Sequence, residues 1–412
     1  MQVTTWIDIS ELKGWNGHFT GIQRVVFNLG KELKKEDNLN VRFCRYDYRR
    51  KQFIPTDYSF AEPTYQKTTG GKVQRSFAQK VSGRLKTYLP APVKKSLKRV
   101  ISFSTPPYIS LQNSVAFRDG DTLLIAGAFW TGQLKAVKKL EQKVSVKVVG
   151  VLYDMVPVIT PHLCTRVTEI DFNRDIKEAV KLVDTWICIS ENTRQDLFDF
   201  VRTKRLKMKA KETIVIKLGS DIDTHGAVLS PFTKRNQPEE FLLFVSTIEA
   251  RKNQQLIYQA VKLAEQRGIE LPPFVLAGKH GWHSDDIISI IRRDTSVRKR
   301  ILWLDNVDDR GLRWLYKNCL FTVYPSLYEG WGLPVAESLV YGKFSIASNN
   351  SSIPEIAGDK IDYFSPYSAS DFLEVISKYL NDRSLLKEKT KRIKDLTQPR
   401  WSEIADQISA VL

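Results

Sequence analysis

Cysteine is scarce and dispersed: Cys44, Cys164, Cys188 and Cys319 are scattered through 412 residues with no Cys-x-x-Cys pair. Such spacing argues against a zinc site and suits reduced thiols, read here as small buried apolar residues. No run of eighteen apolar residues occurs, so no segment is expected to span a bilayer as a helix. The first ten residues lack the basic-then-apolar layout of a signal peptide, and a cytoplasmic location is expected. Acid is missing from one long stretch, since no Asp or Glu lies between Glu62 and Asp119.

That stretch, about 63–118, contains Lys67, Lys72, Arg75, Lys80, Arg84, Lys86, Lys94, Lys95, Lys98 and Arg99. Val73, Phe77, Val81, Leu85 and Tyr88 recur among them at spacings of three or four, which places an apolar stripe on a basic helix. Residues 67–100 therefore fit a segment lying on an anionic membrane surface, peripheral on the inner face of the plasma membrane. A solvated insertion is the alternative reading. A nucleic-acid arm is a third, but no recognised nucleic-acid motif accompanies the charge, and nucleic acid is not the expected partner. The formal net charge of +17 calls for a polyanionic partner or an anionic surface without saying which.

The remaining composition, 42% hydrophobic and 26% charged, describes a globular chain long enough for two domains. Near its C-terminal end, Leu320 to Tyr324 and Lys343 to Ser348 read as buried parallel strands separated by one short helix. Pro334 suits the first turn of that helix and Gly342 the left-handed position after it. Gly330 and Gly332 allow a tight turn and close approach of a ligand to backbone. The amides of Gly332, Leu333 and Val335 at the helix start form a candidate phosphate cradle. Glu329 and Glu337 flank it, and carboxylates are good acceptors for sugar hydroxyls. A ligand carrying both sugar and phosphate fits this combination.

The pattern E-G-W-G-L-P-V-A-E over 329–337 resembles the E-x7-E signature of retaining glycosyltransferases of family 4, among the glycosyl transferases group 1, and 348–358 continues the likeness. The resemblance implies an α/β chain of two Rossmann-like domains facing a central cleft, the B-type glycosyltransferase fold, with a C-terminal helix crossing back to the first domain. It implies that Glu337 holds the donor ribose diol, that Glu329 faces the transferred sugar, and that Gly330, Gly332 and Leu333 meet phosphate or sugar oxygens. Arg251 and Lys252 would hold the diphosphate, Gly21 would lie beside it, and Val307 would contact the base.

Read in order, 1–225 alternates strands and helices as an acceptor domain, 226–395 repeats the pattern as a nucleotide-sugar-binding domain, and 396–412 is the returning helix. Val3 to Ile9 is a strand, Gly14 and Gly17 lie in the next loop, and Thr20 to Gln23 has the form of a capping box. Arg24 stands on the first turn of the helix that follows. Asp154 comes at the end of an apolar strand, where ligands collect in open α/β sheets; Tyr153 stands where many family members have histidine. Asp221 and Asp223 form an Asp-x-Asp pair, read as a turn rather than a metal site. Arg251 and Lys252 begin a helix, where a cation is unfavourable unless an anion binds.

The function expected is metal-independent transfer, with no cofactor, of a hexose from GDP-mannose or another nucleoside-diphosphate hexose to an oligosaccharide or lipid-linked acceptor in cell-surface polysaccharide synthesis. The expected catalytic residues are Glu329 and Asp154. A sugar-nucleotide epimerase or phosphorylase of the same shape is one rival, and a basic nucleic-acid-binding protein is another.

Overall fold

The computed structural model describes residues 3–12, 21–58, 114–220, 238–305 and 307–412. Gly14, Gly17, Thr20, the 67–100 segment, Asp221 and Asp223 therefore lie outside the described residues.

The first sheet comprises β1 (Thr4–Asp8), β2 (Asn40–Asp47), β3 (Gln52–Thr56), β4 (Thr122–Ile125), β5 (Lys147–Leu152), β6 (Thr185–Cys188) and β7 (Glu212–Val215), in the order β3-β2-β1-β4-β5-β6-β7. Only β3 runs antiparallel to its neighbour. Its flanking helices are α1 (Gly21–Leu33), α2 (Leu134–Glu141), α3 (Arg166–Leu182) and α4 (Glu191–Thr203). Helix α1 buries Val25, Val26, Leu29 and Leu33, the spacing that puts one apolar stripe on the sheet. Helix α4 starts where Ser190 Oγ accepts the Thr193 amide at 3.0 Å, a side-chain cap for an otherwise unpaired donor.

The second sheet comprises β8 (Leu242–Val245), β9 (Phe274–Ala277), β10 (Ile301–Leu304), β11 (Thr322–Tyr324), β12 (Ser345–Ser348) and β13 (Asp362–Phe364). Its order is β10-β9-β8-β11-β12-β13, all parallel. Around it lie α5 (Gln254–Gln266), α6 (Asp285–Arg293), α7 (Asp309–Asn318), α8 (Leu333–Val340), α9 (Ala369–Asn381) and α10 (Arg383–Arg392). Strands β8, β9 and β10 are short and wholly apolar, as expected where helices cover a parallel sheet. The strand order reverses between β8 and β11, and likewise between β1 and β4 in the first sheet, so each sheet has a crevice beyond its carboxyl ends.

Helix α11 (Trp401–Ser409) returns to the first domain as expected. A side chain at Gly219 would put its Cβ 2.9 Å from the Trp401 ring, and Asn38 Nδ2 donates to Ser409 Oγ at 3.1 Å. The domains also meet at the cleft. A Cβ on Gly330 would stand 1.8 Å from the Tyr153 carbonyl oxygen, so glycine alone lets the second-domain loop touch the end of β5.

Candidate active site

The second-domain site grows from the two strands at the reversal. After β8 the chain makes a 3-10 turn, Ala250–Lys252, before α5 begins. After β11 it runs through 325–332 into α8, and the Leu327 amide donates to the Arg251 carbonyl at 2.8 Å, tying the loops together. Arg251 and Lys252 thus sit just ahead of the helix rather than in its first turn, with Asn253 left-handed between them and α5.

Their side chains converge on Glu329. Arg251 Nη1 donates to Glu329 Oε2 at 2.7 Å and to the Tyr328 carbonyl at 2.8 Å, while Nη2 donates to Glu249 at 3.0 Å. Lys252 Nζ donates to Glu329 Oε1 at 2.5 Å and to the Tyr324 hydroxyl at 2.9 Å. The Ser326 and Tyr324 hydroxyls donate to the same Oε1 at 2.6 and 3.0 Å. Burial by itself raises a carboxyl pKa, but the Arg251 and Lys252 charges, with hydrogen bonds from Lys252 and Ser326, bring Glu329 down to about 2. Burial disfavours the Arg251 charge, yet Glu329 and Glu249 outweigh it and hold the guanidinium above its usual range. Lys252 goes the other way, because burial and the Arg251 charge together exceed the pull of Glu329. The two cations therefore already have counter-charges here, and an incoming anion is not needed to explain their placement.

Glu337, on the buried face of α8, accepts from the Tyr316 hydroxyl at 2.9 Å through Oε2 and is ion-paired with Arg24 through Oε1. Arg24 comes from α1 of the first domain, so it crosses the cleft to the expected ribose-binding carboxylate. A carboxylate offers about four acceptor positions, and two are taken. Gly332 has φ +123 and lies just before α8, with Pro334 in the first turn. The amides of Gly332 and Leu333 have no acceptor among the described residues. The Val335 amide does not belong to the cradle: it donates to the Gly332 carbonyl at 2.9 Å, closing a tight first turn.

On the first-domain side, Asp154 Oδ1 accepts the Val156 amide at 3.0 Å just past β5. Burial raises its pKa, opposed first by the Arg251 charge and then by that hydrogen bond. A Cβ on Gly330 would lie 2.9 Å from the Asp154 Cβ, so Asp154 borders the Glu329 loop. Tyr153 turns away into the first domain, where its buried hydroxyl donates to the Ala126 carbonyl at 2.6 Å. Gly21 opens α1 with φ +50 and, among the described residues beyond its chain neighbours, has no atom within 4 Å of a built Cβ. Val307 packs against the cluster containing Tyr316 and Leu315.

Sequence reasoning passed over Glu249, Tyr324 and Tyr316, which orient the charged groups, and Asp8, which ends β1. Glu355 was also missed. Its carboxylate accepts the Glu191 and Asn192 amides, each at 2.8 Å, and so caps a first-domain helix from the second domain. Asn192 also donates to the Tyr328 hydroxyl at 2.8 Å.

Residues 229–396 match the family model for glycosyl transferases group 1. The second domain belongs to this family. Among curated relatives of this chain, Escherichia coli O-antigen chain mannosyltransferase B is 36% identical over 119 residues, covering 29% of this chain and 31% of that protein. The serotype-specific mannosyltransferase WbdA of Escherichia coli is 28% identical over 216 residues, covering 50% of this chain and 25% of that protein. The matches thus span less than a third of the length of these relatives. Sucrose-phosphate synthase from Thermosynechococcus elongatus superposes with a TM-score of 0.64 at 17% identity over 100% of this chain and 98% of that one. Anabaena HepE, solved with UDP and glucose, gives 0.59 at 14% identity over 100% and 99%. The chain as a whole has the B-type glycosyltransferase fold.

Proposed function

We propose that this chain is a retaining glycosyltransferase of family 4 that moves a hexose from a nucleoside-diphosphate sugar to a glycan acceptor in polysaccharide synthesis, without a metal. GDP-mannose is the favoured donor, because curated relatives of part of this chain are mannosyltransferases. The favoured acceptor is lipid-linked.

The observation that carries this reading is the convergence of Arg251, Lys252 and Glu329 at the β8–β11 reversal, beside two unpartnered amides at the start of α8. As the glycosidic bond breaks, negative charge grows on the departing diphosphate. Two preorganised cations and the Gly332 and Leu333 amides can stabilise it without reorganising the site. The sugar carbon left behind has oxocarbenium character, and the ionised Glu329 and nearby Asp154 can steady positive charge and orient hydroxyls. For Lys252 and Arg251 to reach phosphate, Glu329 must share them, which frees carboxylate oxygens toward the sugar. The remaining acceptor positions of Glu337 are available to a ribose diol. Closure of Arg24 onto Glu337 would then seal the donor from water.

The test is thermal shift and product analysis with a panel of nucleotide sugars, each with and without chelator. A ligand bound only by the folded state raises the melting temperature. Stabilisation by one donor, lost in both Lys252→Ala and Glu337→Ala, with product of unchanged anomeric configuration formed in chelator, is the expected result. Full donor binding by both variants removes the site assignment, and inverted product removes the retaining mechanism.

A further inference from the structure

The first turn of α4 is completed from the other domain. Of its leading amides, that of Thr193 is capped within the first domain by Ser190, whereas those of Glu191 and Asn192 each go to one carboxylate oxygen of Glu355. Asn192 and Asp196, four residues apart on one face of the helix, both bond a single second-domain side chain, Tyr328. The Tyr328 hydroxyl accepts from Asn192 Nδ2 at 2.8 Å and donates to Asp196 Oδ2, an oxygen that Asn192 Nδ2 also reaches at 2.9 Å. Burial and the bond to Asp196 push this phenol well above its usual pKa, so it stays a donor. Just past β7, Lys217 Nζ donates to the Glu355 carbonyl at 3.3 Å and lies 5.9 Å from the centre of the Trp331 ring.

The second-domain side of these contacts is the backbone that aims Glu329. Tyr328 and Trp331 lie on either side of it in the loop, and the Tyr328 carbonyl accepts from Arg251 at 2.8 Å. The Glu329 amide donates to Ser351 Oγ at 3.0 Å, and Ser352 Oγ donates to the Glu329 and Trp331 carbonyls, each at 2.9 Å. The loop is thereby tied to the turn that carries Glu355. One side of this unit is fixed within the second domain, and the other is held through Tyr328 and Glu355 by α4 of the first. Separating the domains would give the Tyr328 hydroxyl, the Glu355 carboxylate and two α4 amides to water.

We propose that Tyr328, Asp196 and Glu355 are positioning residues, whose bonds across the cleft form a latch that fixes the Glu329 loop for transfer when the domains are together. The inference rests on the glycosyl-transfer reading, but the latch can be read without turnover. The groups that reading assigns to the diphosphate, Arg251, Lys252, Gly332 and Leu333, all belong to the second domain. Loss of the latch should therefore cost turnover rather than donor affinity.

Tyr328→Phe removes one oxygen, Asp196→Ala removes its acceptor, and Asp196→Asn keeps an oxygen for the hydroxyl to reach. Domain separation is measured on the full chain between spin labels at Lys177→Cys on α3 and Lys387→Cys on α10, both exposed, the four native cysteines being buried. A hydrogen bond to a charged acceptor is worth about tenfold, so the Phe and Ala variants should populate longer distances and lose about tenfold in kcat. Their donor dissociation constants by calorimetry should stay within about twofold of the parent's, and Asp196→Asn should restore both distance and kcat. Unchanged distances in the Phe and Ala variants, or donor affinity that falls in step with kcat, would overturn the proposal. A parent that neither binds nor transfers sugar would defeat the glycosyl-transfer reading alone, with the distances still deciding the latch.

Discussion

Asp8, which ends a strand of the first domain, and Glu329, just past one of the second, are both buried carboxylates at a topological reversal, 1% and 6% exposed respectively. Burial acts on both in the same direction, yet they end far apart. Glu329 has two cations and two hydroxyls on it and falls to about 2. Asp8 has the Ser10 amide at 2.9 Å and the Ser10 hydroxyl on one oxygen, and no partner among the described residues on the other. Desolvation wins there, and Asp8 rises to about 6 despite Ser10. The second-domain site is thus an internally neutralised set of charges that can exchange one anion for another, whereas the first-domain crevice keeps an acid poised to hold a proton.

The contrast breaks most visibly at its charged end. Glu329→Ala leaves Lys252 and part of Arg251 uncompensated in a buried site, and should destabilise the protein by about 3–5 kcal/mol in denaturant unfolding. A loss under about 1 kcal/mol would mean that the cations are hydrated rather than buried.

Asp8→Asn tests the other end. The folded pKa of Asp8 lies above its unfolded value, so its contribution to stability is fully present below about pH 4 and lost as pH rises through about 6. Relative to the asparagine variant, the parent should therefore lose about 2–3 kcal/mol between pH 4 and pH 7, followed as unfolding midpoints across that range. Parallel pH profiles would place a partner on the second Asp8 oxygen.

Lys252→Ala should weaken donor binding about ten- to a hundredfold by calorimetry, the loss of one charge-assisted hydrogen bond, with Glu329 still held by Arg251 and the fold retained. Arg24→Ala should cost about 3 kcal/mol in stability, the low end for a broken buried ion pair, since Tyr316 still satisfies Glu337. Its signature should be a more open interdomain distribution in solution scattering.

Much of the architecture was legible because short apolar strands, glycine-bearing loops and helical stripes are local signals. The loop from Glu329 to Glu337 announced its glycines, first-turn proline and acids within nine residues. The β2–β3 pair was not legible, because its residues 40–56 mix five basic side chains with aromatics and carry no clean alternation. Helix α3 was missed although Phe172, Ile176, Ala179 and Val180 face inward, since charged side chains fill the rest of its length. Contacts across the cleft have no local signature at all: Arg24 and Glu337 are 313 residues apart, and Glu355 caps a helix 164 residues upstream. Arg251 and Lys252 were singled out as awaiting an anion, but the counter-charge was already encoded at Glu329 and Glu249, which only folding brings to them.

The most direct measurement is a crystal structure of the protein soaked with GDP-mannose or whichever nucleotide sugar stabilises it most. The account predicts the diphosphate within hydrogen-bonding distance of Lys252 Nζ and the Gly332 and Leu333 amides, with Glu329 turned toward the sugar. A diphosphate bound elsewhere, with the Arg251–Lys252–Glu329 cluster unchanged, would contradict it.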